Sequence, residues 1–554
     1  MKSLGLKDRQ FVNKTIATAV VFHLVSVMMA SRFDSLLLTR IALTSGVGLC
    51  FVAGPIFWLW HRATRSRGKV EQLNDIRQVF AAGEEIYQYD PRRYFNESKG
   101  VFIGLADGTL KPRYVPWNDY RSTHMQVLGS TGFGKGVATA MFLAQSLEAG
   151  EAVVVFDPKN DKFAPNVLYQ VAQDCGAPFY LIDLRPGQKS QINIFRDCDA
   201  ADIEEVLNTA FDMAEKGDIT DFYRLFDRKA ATDVCAIATA AKRSPTMRDL
   251  VAATYQSKQV SIEDKKAIKF QADLEELAKL EAINALEGHN LAQILSQRAV
   301  IYVVGSTRKV QTVRAQKMLL LRLLQIIENR DLRNPRPVAM MLDELKYLLS
   351  TAVLQALGTV RDKGCHIMLA HQAIEDLKDC GGLEPNAVRG AVVVNTGLKL
   401  IYRSSDPDTL EWASDLSGTI VVKQESSHMQ QGMFHAAEGQ YRDIERNYIT
   451  KNEILAMPKQ TGMFYGSGLA TIVKVSPLPA GSRPQVIPMT PAPAPQVTHP
   501  EKTAATASAN AEQHSQSDQS TNGQKPATVN SAAFLGQPTT DPQPNSRTAK
   551  EDAD

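Results

Sequence analysis

Charge of one sign is scarce in this chain. Lys and Arg number 62 and Asp and Glu 60, leaving a formal net charge of +2 on 554 residues. That balance excludes a global polycationic surface, so any hold on a nucleic-acid backbone must come from local charge. The basic clusters are modest: Lys242, Arg243 and Arg248 form one, and Arg308, Lys309, Arg314 and Lys317 another. Taken singly, each reads as a solvated helix face. Cysteine is also sparse, with six residues at 50, 175, 198, 235, 365 and 380. None has CxxC or Cys/His metal spacing, which points to reduced thiols of a cytosolic fold. No internal repeat is present.

What is there begins with two apolar runs, Ile16–Ala30 and Leu36–Trp60, joined by Ser31–Ser35. Each is about long enough to cross a bilayer core of about 30 Å. Lys2, Lys7, Arg9 and Lys14 precede the first run, and Arg62, Arg65, Arg67 and Lys69 follow the second, so a transmembrane hairpin with both ends cytoplasmic is expected. A cleaved signal peptide is disfavoured, since no secreted-type domain follows a small-residue cleavage site. Arg40 lies near the start of the second run, where it can snorkel to the surface.

The run Gly129-Ser130-Thr131-Gly132-Phe133-Gly134-Lys135-Gly136-Val137 has the form of a phosphate-binding loop. A short apolar strand precedes it and a helical pattern follows, so backbone N–H groups and the helix N-terminus would face a phosphate, with Lys135 as a point charge. Where a Ser or Thr hydroxyl would bind Mg²⁺, this chain has Gly136. Pro337–Leu342 is an apolar strand ending in Asp343-Glu344, a Walker B pattern. Asp343 is the candidate on the metal side and Glu344 the candidate general base. Cys365–Ala370 reads as a further strand ending in His371-Gln372, and Ala391–Thr396 as its partner. Gln372 is the candidate γ-phosphate sensor, by analogy with RecA-like motors. His371 reads as a satisfied strand-end histidine.

Together these motifs resemble the type IV secretion coupling proteins, the TraG/TraD-type conjugation ATPases related to the FtsK and HerA DNA pumps. The resemblance rests on residues 129–137, on Phe156-Asp157-Pro158-Lys159-Asn160-Asp161, on Leu342-Asp343-Glu344-Leu345 and on Val360-Arg361-Asp362-Lys363-Gly364 leading to Gln372. Asn395, Asp406, Ala413 and Ser417-Gly418 complete it. The chain departs from the family pattern at Leu345, where an aromatic is common, and at Asn160, where glycine is usual. A phosphate loop ending in lysine-glycine also occurs in the family. The resemblance implies ATP and Mg²⁺ as cofactors and a homo-hexamer with nucleotide at each subunit boundary. It also implies Arg361 as an arginine finger donated to the neighbouring subunit.

The expected architecture is an α/β, RecA-like P-loop ATPase domain with an inserted all-α domain, an N-terminal two-helix hairpin and a disordered C-terminal tail. Its segments are the hairpin with cytoplasmic flanks (1–70), the first part of the nucleotide-binding domain (71–198), the all-α insertion (199–292), the second part (293–475) and the tail (476–554). The tail is predicted disordered because its Pro, Ala, Thr, Ser, Gln and Asn composition buries too little apolar surface. Within it, Ala532–Gly536 is a short apolar island. In the resembled family the all-α domain helps receive substrate. The function expected is that of a bacterial inner-membrane ATPase passing single-stranded DNA, with its relaxase and relaxosome proteins, to a type IV secretion channel. Two other readings are a receptor exporting protein effectors only, and a non-hydrolysing membrane docking protein with structural nucleotide, which Gly136 keeps open. The missing winged-helix module argues against a chromosomal pump.

Overall fold

The computed structural model describes residues 87–494, apart from 218, 262–265, 332, 334, 427–439 and 467, together with the single residue Met28. The predicted hairpin, most of the predicted tail and its Ala532–Gly536 island lie outside the described residues. Among the described residues, no helix is long and apolar enough to cross a membrane.

In chain order, β1 (Val101–Ala106) and β2 (Pro112–Val115) form a hairpin, followed by α1 (Trp117–Arg121), β3 (Met125–Leu128) and α2 (Lys135–Glu148). Next come β4 (Ala152–Asp157), α3 (Ala164–Asp174), β5 (Phe179–Asp183) and the two-residue β6 (Ile192–Asn193). A helical stretch follows: α4 (Ala200–Ala210), α5 (Asp221–Ala241), α6 (Met247–Thr254) and α7 (Ile268–Ala278). The chain returns through β7 (Asn284–Gly288), α8 (Leu291–Leu295), β8 (Val300–Val304), α9 (Val310–Glu328), β9 (Val338–Leu342), α10 (Thr351–Thr359) and β10 (Cys365–His371). It ends with α11 (Pro385–Asn395), β11 (Leu398–Tyr402), α12 (Pro407–Leu416), the ribbon β12 (Thr419–Ser426) and β13 (Gln440–Asn447), α13 (Lys451–Leu455), β14 (Thr461–Tyr465) and β15 (Thr471–Lys474).

One eleven-stranded sheet organises these elements, in the order β2-β1-β15-β14-β11-β3-β10-β9-β4-β8-β5. The strands from β11 to β5 run parallel, and β14, β15, β1 and β2 add antiparallel pairs at one side. The parallel strands are apolar because helices cover both of their faces. In β4, Val154 and Phe156 pack into one core cluster while Val153 and Val155 pack into the other, as the period of two requires. All parallel strands end at one edge, so the loops after β3, β4, β9 and β10 converge there.

Three expectations are corrected. Ala391–Thr396 is not a strand: Ala391–Asn395 is the end of α11, and the next strand begins at Leu398. Pro385 starts that helix, Glu384 caps the N–H groups of Asn386 and Ala387, and only Val388 and Val392, four residues apart, are buried. The β-branched run therefore shows one face to the core rather than two. The stretch 199–292 contains β7, antiparallel to β6, so it is not wholly helical. Residues 476–494 are not disordered. Leu478 and Ala492 are buried, and the segment exchanges backbone hydrogen bonds with Asn166, Ser190, Asn284 and Leu286. Proline restricts the unfolded chain at 477, 479, 484, 488, 491 and 493, so a few bonds suffice to hold an extended strap with little regular structure.

Candidate nucleotide site

The loop after β3 is shaped by its neighbours. Gly129 has φ +141°, and a Cβ there would lie 2.6 Å from the Cβ of Tyr402. Gly134 has φ +118°, and its Cβ would lie 3.1 Å from Cα of Gln460. Only glycine fits between β11 and the turn before β14. Two backbone bonds pin the loop from below: Ser130 N donates to Arg403 O at 2.8 Å, and Gln460 N to Phe133 O at 2.8 Å. The Arg403 guanidinium also lies over the Phe133 ring. Among the described residues, no protein acceptor meets the N–H groups of Thr131, Gly132, Phe133 or Gly134. These orphan donors at the mouth of α2, with Val137 in its first turn, fit an anion such as a nucleotide phosphate.

Lys135 opens α2, and its ammonium folds back to donate to the carbonyls of Gly129 and Ser130. Burial, reinforced by the charge of Lys159, lowers its pKa to about 8, against the pull of Asp343 and Asp376. A bound triphosphate would raise that pKa. Affinity should then be flat below pH 7.5 and weaken up to tenfold per pH unit above pH 8, until the pKa of the bound form is reached. Titrating nucleotide binding across that range by calorimetry checks the sign; affinity that strengthens with rising pH would contradict it.

Asp343 follows β9, beside Asp157 at the end of β4, and its N–H donates to Phe156 O at 3.0 Å. Burial holds its carboxyl above the usual range, while Lys159 and Lys135 oppose that shift. Gly136 has open space where a side chain would stand. One turn later, the hydroxyl of Thr139 donates to the carbonyls of Lys135 and Gly136. Among the described residues no cluster of three or more His, Cys, Asp or Glu side chains could hold a metal. Mg²⁺ needs only one or two carboxylates beside phosphate oxygens and water, so Asp343 alone fits that pattern.

Glu344 is 4% exposed and adopts φ +49°, ψ +54°, a left-handed conformation uncommon outside glycine. Its carboxylate accepts from Gln372 Nε2 at 3.2 Å and pairs with the ammonium of Lys159. Gln372 is in turn fixed by Asp376, which accepts from the N–H groups of Gln372 and Ala373. His371 donates from Nδ1 to Ala373 O at 2.8 Å, so its Nε2 accepts from the Gln126 amide at 2.8 Å. Burial lowers its pKa to about 4, and it is a neutral, fully satisfied histidine.

Lys135, Asp343, Glu344 and Gln372 are therefore brought to one edge of the sheet. Arg361 is not. It sits in the turn entering β10, with an exposed side chain beside Asp362, and the seven residues of β10 separate it from Gln372 by roughly 20 Å. The contribution of Lys159 was missed by spacing alone. The available signal was Asp157-Pro158-Lys159-Asn160-Asp161: Asp157 accepts from the N–H groups of Lys159 and Asp161 and from the Tyr302 hydroxyl, and Asn160 has φ +57°. Asparagine tolerates that conformation, which accounts for its standing where the family usually has glycine.

Two families match the chain. One, described as the helicase HerA central domain, covers residues 101–317; the other, described as the TraM recognition site of TraD and TraG, covers 337–459. Mobilization protein A of Escherichia coli is 34% identical over 345 residues, which span 61% of this chain and 63% of that protein. Among solved structures, the bacterial conjugative coupling protein TrwB in unbound form aligns with a TM-score of 0.53 and 16% identity, covering 72% of this chain and 93% of that one. Its complex with a non-hydrolysable ATP analogue gives 0.52 at 17% identity, with 71% of this chain and 93% of that one covered. These structural likenesses establish an α/β P-loop ATPase fold.

Proposed function

We infer from these likenesses that the chain is a type IV coupling protein, an ATPase driving conjugative single-stranded DNA, with its bound relaxase, into a secretion channel. The observation that carries this reading is the convergence of Lys135, Asp343, Glu344 and Gln372 beside unpartnered loop N–H groups at one sheet edge. Lys135 and the loop bind the phosphates. Asp343 would hold Mg²⁺, which would supply charge neutralisation at the phosphates. Gln372 and Glu344 orient a water whose oxygen attacks the γ-phosphorus. The bond to the β-phosphate oxygen breaks, Glu344 takes the water's proton, and ADP and inorganic phosphate leave.

The apolar runs before residue 61 support an inner-membrane anchor, and the exposed Arg361 at the far edge supports a ring, read as a hexamer, in which it reaches a neighbour's nucleotide. The match at 337–459 supports relaxosome proteins as partners. Donor cells carrying Lys135→Ala should lose plasmid transfer by several orders of magnitude while keeping normal levels of the protein. Transfer at the wild-type frequency would sink the reading.

A further inference from the structure

Among the described residues, Lys159 is the one cation paired with the proposed base. It lies just past β4, and its ammonium pairs with Glu344 Oε1, the oxygen that also accepts from Gln372. The Glu344 side chain is 5% exposed and that of Lys159 38%, so the pair opens toward solvent only on the lysine side. Lys159 also acts on both other charged members of the site, lowering the pKa of Lys135 and opposing the upward shift of Asp343. Its ammonium therefore stands among the phosphate lysine, the metal-side acid and the base. The backbone carrying it is preformed: Asp157 gathers the N–H groups of Lys159 and Asp161, Tyr302 holds Asp157, and the left-handed Asn160 closes the turn.

We propose that Lys159 latches Glu344 when no terminal phosphate is present and transfers its ammonium to the γ-phosphate of a bound nucleoside triphosphate, leaving Glu344 free for the water. A γ-phosphate carries more negative charge than one carboxylate and competes for the ammonium. A diphosphate ends one phosphate short, so the latch stays closed. Lys159 is on this account a specificity-determining residue that separates the triphosphate from the diphosphate state.

The inference rests on the nucleotide site proposed above, and its test keeps the two apart. Binding of a non-hydrolysable ATP analogue and of ADP, each with Mg²⁺, is measured on the full-length protein in detergent for wild type, Lys159→Met, Lys159→Gln and Lys159→Arg. Loss of one charge-assisted contact should weaken analogue binding by on the order of 10- to 100-fold in the Met variant, with ADP affinity within about twofold of wild type and partial recovery in Arg. If Lys159→Met does not fold, Lys159→Gln carries the same comparison. Equal weakening of both nucleotides, as a merely structural lysine would give, overturns the latch, and so does unchanged analogue binding. A wild type that binds neither nucleotide overturns the site itself.

Discussion

Glu344→Gln should lower ATP turnover by about 10²- to 10⁴-fold, the usual contribution of a general base, while leaving triphosphate binding intact. The substitution preserves shape but removes the proton acceptor. It also breaks the ion pair with Lys159, whereas the amide can still accept from Gln372. Lys159 is then free for phosphate, so the variant should hold ATP at least as tightly as wild type. A trapped, ATP-loaded protein is the expected state, readable as retained radiolabelled ATP after gel filtration. Turnover within threefold of wild type would remove Glu344 from the chemistry. Weak binding with weak turnover would mean that the left-handed turn at Glu344, rather than its carboxylate, matters most.

Arg361→Ala should reduce turnover by between about 10³- and 10⁵-fold, the range measured for arginine fingers, without weakening nucleotide binding. Its position makes the prediction sharp. The side chain lies at the amino ends of the parallel strands, the full length of β10 from Gln372, and cannot serve its own site. It would act only on a neighbour. Mixing Arg361→Ala with Glu344→Gln subunits, each inactive alone, should therefore restore measurable hydrolysis at the interfaces where an intact arginine meets an intact base. If the mixture stays as inactive as its components, or if Arg361→Ala alone keeps wild-type turnover, the finger assignment fails.

The phosphate loop, the acidic strand end and Gln372 were legible in the sequence because each is a local pattern. Glycines mark positive φ and close approach, an apolar run marks a strand buried on both faces, and an acid or amide at its end marks the sheet edge. Lys159 was not legible as a site residue because its partner follows β9, a neighbour of β4 in the sheet but remote in sequence. The valines of Ala391–Thr396 misled because β-branched residues favour strands, while the decisive helix signals, Glu384 and Pro385, stand seven and six residues earlier. The strap at 476–494 misled because composition measures the capacity to build a core. It does not report whether a proline-stiffened segment can dock on a surface already formed.

The central claim is that this nucleotide site powers movement of nucleic acid. Its most direct test is ATP hydrolysis by the full-length protein in lipid, with and without single-stranded DNA, beside Lys135→Ala as control. The account predicts turnover that rises with DNA and vanishes in the variant. Bound nucleotide with no turnover at any DNA concentration would contradict it.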